Sequence, residues 1–256
     1  MKIVIENGLW ENDFLLKEIL PKGEVSHNLN EICDVLIFTS RAHSYHKILS
    51  IVEKSNPKII ICLSDELITE DLNNFNQLGN YCKLFLRQYN HPEYTYTSNT
   101  IHIPLGYTNE CKVFDEKKVL NWSFIGEIKT DRQEMINQFR NISNHFVGNS
   151  LSKDLMCKIY SKSIFVPCGR GNSSLDCFRL YEASINGAIP VVVGSKEEIE
   201  YTFVYEEKPP WIFAETWKDA VEKCEVLLQS RIDNVLVLDW WKNRIKKIKN
   251  KVLEIL

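Results

Sequence analysis

The stretch FVPCGRGNSSLDCFRLYEASINGAIPVVVGS, Phe165 to Ser195, decides the fold. An apolar run gives way to a polar glycine loop. FRLYEASI then carries helical spacing, and AIPVVVGS is a second apolar run closed by glycine. The stretch reads as a strand–loop–helix–strand unit, in which a crossover helix returns the chain to a parallel strand.

Working outward, the same grammar recurs. KIVIE (Lys2–Glu6), DVLIFTS (Asp34–Ser40), PKIIICLSDE, KLFLRQYN and NTIHIPLGY read as strands. NDFLLKEIL, SYHKILSIVEKSN and EDLNNFNQLGNY are the intervening helices, the first two stopped by Pro21 and Pro57. The pattern restarts with NWSFIGEI (Asn121–Ile128), then TDRQEMINQFRNI, with Thr130 or Asp131 as N-cap and Glu134 in a capping-box position. NHFVGNS, SKDLMCKIYSKS, the opening stretch and PPWIF follow, with ETWKDAVEKCEVLLQS and DWWKNRIKKIKNKVLEIL as closing helices. The last helix is basic and amphipathic; Trp240, Trp241, Ile245, Ile248 and Leu253 are its expected packed face. Apolar strands alternating with helices predict an α/β fold of two parallel-sheet domains, residues 1–112 and 113–256, with a linker over Asn109–Asn121.

The 256 residues carry a formal net charge of −3 and are 44% hydrophobic. That balance offers no electrostatic case for nucleic acid or an acidic membrane surface. No apolar run approaches the ~18 residues of a membrane span, and no signal-peptide pattern opens the chain; a cytoplasmic location is expected. The eight cysteines lack a C-x-x-C pair and read as reduced, buried thiols. The six histidines lack metal spacing, and no D-x-D pair occurs. No metal and no cofactor are expected; the sequence leaves the oligomeric state open.

In doubly wound domains, ligands bind at the carboxyl ends of the strands, and two such domains make a cleft where those ends face each other. The loop from Gly169 to Ser174 has glycines that allow close backbone approach and opens a helix whose N-terminus favours an anion. Arg170 offers a bidentate charge contact, with Gly171, Asn172, Ser173 and Ser174 beside it. Arg179 and Glu182 share a helix face, which suits a phosphate and a pair of ribose hydroxyls; alone, the pair is equally a surface ion pair. Gly126 and Arg132, in GEIKTDR, form a second strand–glycine–helix turn, equally a plain βα turn with a solvated arginine. Asp65 and Glu66, in LSDE, put carboxylates at a strand tip, as a general base or as a helix cap.

FRLYEASINGAIPVVV resembles the donor-site segment of exostosin-type glycosyltransferases, and DCFRLYEA brings it closest to their ribitol-phosphate xylosyltransferase branch. LSDE, LFLRQYNHPEY, IHIPLGY, SFIGEIKTDRQEM, PPWIFAETWKDA and LDWWKNRIKKIKNKVLEIL are similar to other blocks of that family, in order over roughly residues 58 to 256. The resemblance implies a GT-B-like architecture, two facing Rossmann-like domains whose last helix returns to the first. It implies an inverting, metal-independent transfer of a sugar, xylose among the candidates, from a UDP-sugar to a saccharide or polyol-phosphate hydroxyl. Arg179 would then contact the diphosphate and Glu182 the ribose. Gly126 and Arg132 would line the diphosphate end, the loop Gly169–Ser174 would hold the sugar or phosphates, and Asp65 or Glu66 would be the base. GRGNSSLD departs from the common form of that loop, so donor identity stays open. The human members carry a membrane anchor and stem; without them the chain resembles a minimal soluble catalytic unit. A nucleotide-sugar epimerase and a non-catalytic nucleotide-sugar-binding protein of the same fold are the alternatives.

Overall fold

The computed structural model describes residues 1–63, 71–230 and 234–256, with Asp71 and Leu72 described in backbone only. Asp65 and Glu66 lie outside the described residues. The chain divides into two compact units. Met1–Leu105 with Ile245–Leu256 makes the first, and Gly106–Arg244 the second. The boundary falls at Leu105/Gly106 instead of 112/113, and the tail of the last helix belongs to the first unit.

The first unit is a parallel sheet of order β2-β1-β3-β4-β5-β6. Its strands are β1 (Lys2–Ile5), β2 (Glu24–Ser26), β3 (Val35–Thr39), β4 (Ile59–Leu63), β5 (Leu84–Arg87) and β6 (Thr100–His102). The central strands are buried along nearly their whole length, because helices cover both faces of a parallel sheet. α1 (Asn12–Phe14) runs on as a π turn, Leu15–Ile19, and stops before Pro21. In α2 (Tyr45–Ser55) the Ser44 hydroxyl accepts from Lys47 N at 3.4 Å, and Asn56 ends the helix at φ 47° ahead of Pro57. α3 (Asp71–Asn76) passes into a 3₁₀ turn, Gln77–Tyr81. Ile48, Val52, Phe38, Phe75 and Phe85 meet in the core. β2 was not expected: EVS has a partly exposed edge position and no apolar signature.

The second unit is a parallel sheet of order β11-β10-β9-β7-β8. Its strands are β7 (Leu120–Ile125), β8 (His145–Gly148), β9 (Ser163–Pro167), β10 (Ile189–Val193) and β11 (Ile212–Ala214). Its helices are α4 (Arg132–Phe139), α5 (Lys153–Lys162), α6 (Phe178–Ile185), α7 (Lys196–Thr202), α8 (Trp217–Leu228) and the start of α9 (Val235–Ile255). From β7 the chain steps to one edge through β8, then returns to β9 on the other side of β7. The strand order therefore reverses between β7 and β9, the place where a doubly wound sheet opens a crevice at its carboxyl ends. α7 was not expected, although Ser195 and Glu198 spell a capping signature, and Ser195 Oγ does accept from Glu198 N at 3.1 Å.

Along α9, Trp240, Trp241, Ile245 and Ile248 are buried as expected, but Val252 and not Leu253 is the last packed residue. Leu253 is 49% exposed. Among the described residues, no helix is long and apolar enough to cross a membrane.

Candidate functional site

The crevice residues come from the ends of β7 and β9 and from the first turns of α4 and α6. β7 runs directly into Gly126, whose φ of 149° belongs to glycine's territory. A Cβ there would lie 2.7 Å from Arg179 Nη2. The missing side chain is what lets the Arg179 guanidinium lie against the strand end. Arg179 Nε and Nη2 donate to Ile125 O at 3.4 and 3.3 Å, and Cζ stands 4.8 Å from the Phe124 ring centroid. Its Nη1 is shielded from solvent and makes no hydrogen bond. Burial works against the charged form of Arg179. The acidic groups around it, Tyr160, Cys177, Cys168 and Glu182, outweigh that and move its pKa upward.

Arg132, in the first turn of α4, is buried and is a second cation in the same field. Burial first, then the charge of Arg179, lowers its pKa. Neither arginine forms an ion pair among the described residues. The local field shows in a third group. Cys177 precedes α6 as its N-cap, with no side-chain capping bond. The neighbouring Cys168 thiol draws its pKa down to about 7, assisted by the charges of Arg179 and Arg132. Surroundings that favour a thiolate favour other anions at the same point.

Arg132 is also a tether. Its Nε and Nη2 donate to Arg170 O at 3.1 and 2.6 Å, and its Nη1 donates to Glu127 O at 3.0 Å. Asp131 takes the other backbone group of the same residue, its Oδ1 accepting from Arg170 N at 3.1 Å, and its Oδ2 accepts from Trp217 Nε1 at 3.2 Å. Adjacent residues thus grip both backbone polar groups of Arg170. Gly169 must be small here, since a Cβ would lie 2.7 Å from Arg132 Cγ. This employment explains why the expected capping box does not form: Asp131 occupies the N-cap position of α4 but makes no capping bond. The solvated-arginine reading of Arg132 is excluded.

Arg170, expected to offer a bidentate contact to a ligand, has a carboxylate partner within the chain. Arg170 spends its guanidinium on Glu198 of α7, with Nη1 on Oε1 and Nη2 on Oε2. Its Nη1 also donates to Ser173 O at 3.3 Å. The rest of the loop turns on itself: Gly171 N donates to Ser174 O at 3.0 Å, and Ser174 Oγ accepts from Asp176 N at 3.0 Å. Asn172 Oδ1 accepts from Lys129 Nζ at 2.9 Å. Asn172 and Ser173 are exposed.

Glu182 and Arg179 do not form the surface ion pair that their spacing allows. Glu182 is buried, and its ion pair is with Lys153 at 3.0 Å. Thr108 Oγ1 donates to the same oxygen, Oε1, at 2.6 Å, as does Thr108 N at 3.4 Å. None of these bonds falls on Oε2. Sequence reasoning missed Lys153, Thr108, Asp131 and Glu198. The Ser195–Glu198 capping signature was the one available signal, and it pointed to a helix, not to Arg170.

No family model and no curated protein matches the chain. The comparison with solved structures finds matches at low identity. T4 phage BGT in complex with UDP and Mn2+ aligns at TM-score 0.47 and 14% identity, over 100% of this chain and 97% of that one. HepE from Anabaena, in complex with UDP and glucose, aligns at TM-score 0.49 and 9% identity, over 87% and 77%. A TarM mutant from S. aureus, in complex with Fondaparinux, alpha-GlcNAc-glycerol and UDP, aligns at TM-score 0.48 and 11% identity, over 94% and 57%.

Proposed function

We propose that this chain is a glycosyltransferase of exostosin type. It moves a sugar from a UDP-sugar to a hydroxyl of a saccharide or polyol-phosphate acceptor, with inversion and without an essential metal. One observation carries the reading: the Arg179 guanidinium lies against the Gly126 strand end, Arg132 holds the next residue's carbonyl within its field, and among the described residues no carboxylate forms an ion pair with either. A diphosphate supplies the charge that this place lacks, and the uncapped start of α6 adds oriented backbone amides. Glu182, with Oε1 held by Thr108 and Lys153, keeps a carboxylate in place for the ribose hydroxyls. The loop Gly169–Ser174, held at Arg170 by Asp131 and Arg132, supports the sugar end. The reaction is a single in-line displacement. The acceptor hydroxyl attacks the anomeric carbon, Asp65 or Glu66 takes its proton, and UDP departs into the positive field.

Binding comes first in the test. Calorimetry and thermal shift with UDP and a panel of UDP-sugars are expected to show binding that Arg179→Ala weakens roughly 100-fold. A UDP-release assay with saccharide, polyol-phosphate and DNA acceptors then sorts transfer from the alternatives. Sugar-nucleotide turnover without an acceptor identifies an epimerase, and binding without any turnover identifies a non-catalytic protein. No shift with any uridine nucleotide refutes the donor site. Near wild-type turnover in both Asp65→Asn and Glu66→Gln removes those residues as the base.

A further inference from the structure

All eight cysteines are free, but they are not all isolated. Cys111 and Cys157 stand 46 positions apart in sequence, and their Sγ atoms are 3.2 Å apart. Cys157 is fully buried on α5, and Cys111 is half-buried in the segment that leads from Gly106 to β7. That segment lies as a strap along one face of α5. Thr108 meets Lys153, Lys112 pairs with Asp154 at 2.7 Å, and Glu116 pairs with Lys158 at 3.5 Å. Lys153, Asp154, Cys157 and Lys158 share that face by helical spacing. The thiol pair is the central rung of the strap. Of its other rungs, Thr108–Lys153 is part-buried, while the Lys112–Asp154 and Glu116–Lys158 ion pairs are more exposed and exchangeable. The proton between the sulfurs is shared unequally: hydrogen bonding from Cys111 lowers the Cys157 pKa, and the same contact raises that of Cys111.

We propose that Cys111 and Cys157 form a reversible oxidation site, in which a disulfide locks the strap onto α5 and holds Thr108 against Glu182. The sulfurs must approach by about 1.2 Å to reach the ~2.05 Å of a disulfide bond. The oxidant is a low-molecular-weight disulfide, RSSR. Cys111, the sulfur within reach of solvent, gives up its proton to bulk base, the slow step given its raised pKa, then attacks one of the RSSR sulfurs and expels RS⁻. The Cys157 thiolate then attacks the Cys111 sulfur of the mixed disulfide, closing the Cys111–Cys157 bond and expelling the second RS⁻. The cysteines give up two electrons to RSSR, and their two protons end on the two RSH released.

The full-length chain, incubated across a series of oxidised-to-reduced glutathione ratios and quenched with an alkylating agent, tests this directly. Peptide mass spectrometry is expected to find the Cys111 and Cys157 peptides linked and lighter by two hydrogens, a link that dithiothreitol removes. The oxidised protein is expected to melt roughly 5–10 °C higher than the reduced one, because the bond closes a long loop in the unfolded chain. Cys111→Ser abolishes both the link and the rise. The inference is overturned if Cys111 and Cys157 are both alkylated at the most oxidising ratio, if only Cys168 and Cys177 become linked, or if the link forms only in urea. Every readout is independent of nucleotide binding, so its failure leaves the donor-site reading standing, and the reverse.

Discussion

Arg170 and Arg179 flank one loop and look alike in sequence, each a cation beside glycines or a helix start. The structure gives them opposite employments. Arg170 is neutralised by both oxygens of Glu198, and its backbone is gripped from both sides. Arg179 has a carbonyl, an aromatic face and an unpartnered Nη1, with a second arginine in its field. Composition alone does not make a ligand contact. What matters is whether the chain already supplies the counter-charge, and that depends on residues far away in sequence.

The contrast breaks most sharply at Arg179. Arg179→Ala is expected to weaken UDP binding roughly 100-fold, the scale of a charged hydrogen-bonding group, while Arg170→Ala leaves it within about threefold and lowers the melting temperature instead. Equal losses in calorimetry would erase the distinction. Gly126→Val tests the seat without touching the charge. A side chain at φ 149° is strained and meets Nη2, so Arg179 must move. A loss of about tenfold in affinity is expected, with circular dichroism unchanged.

A smaller effect comes from Cys177. Its folded pKa of about 7 lies below the ordinary thiol value of 9.0. Between those values the unfolded chain holds more protons, so stability rises with pH and is lost as pH falls through 7. The thiolate that forms above pH 7 also competes with an anionic ligand for the same field. Affinity for UDP-glucose, whose phosphates do not titrate in this range, should fall roughly threefold from pH 6 to pH 8.5. In Cys177→Ser the affinity should be flat with pH; a slope that persists in the variant assigns it elsewhere. The smallest change is Glu198→Gln. It is expected to cost about 1 kcal/mol or less, because the ion pair is partly exposed, with UDP affinity retained. A loss of affinity as large as that of Arg179→Ala would mean that Glu198 positions the loop for binding.

The fold was legible where local rules govern. Buried parallel strands are continuous apolar runs, and Pro21, Pro57, Ser44 and Ser152 mark helix ends by chemistry that reaches only a few residues. β2 escaped because an exposed edge strand needs no apolar pattern. The site was legible in its glycines and in Arg179, since backbone approach and helix starts leave local marks. Its partners were not. Glu182 is paired with Thr108, 74 positions away, and Asp131 with Trp217, 86 positions away. No spacing rule reaches across a sheet crossover. The buried-thiol reading of the cysteines fits Cys33, Cys62, Cys157, Cys168 and Cys224 but not the half-buried Cys82, Cys111 and Cys177, and it was blind to pairs.

α9 also sets an order of assembly. The second unit is one unbroken segment, Gly106–Arg244, whereas the first is split and includes Ile245–Leu256. Ile245, Ile248 and Val252, all buried, come after the whole second unit in sequence. The N-terminal sheet therefore cannot complete its packing until the chain has passed through the second unit. The later-made unit can close its own core ahead of it.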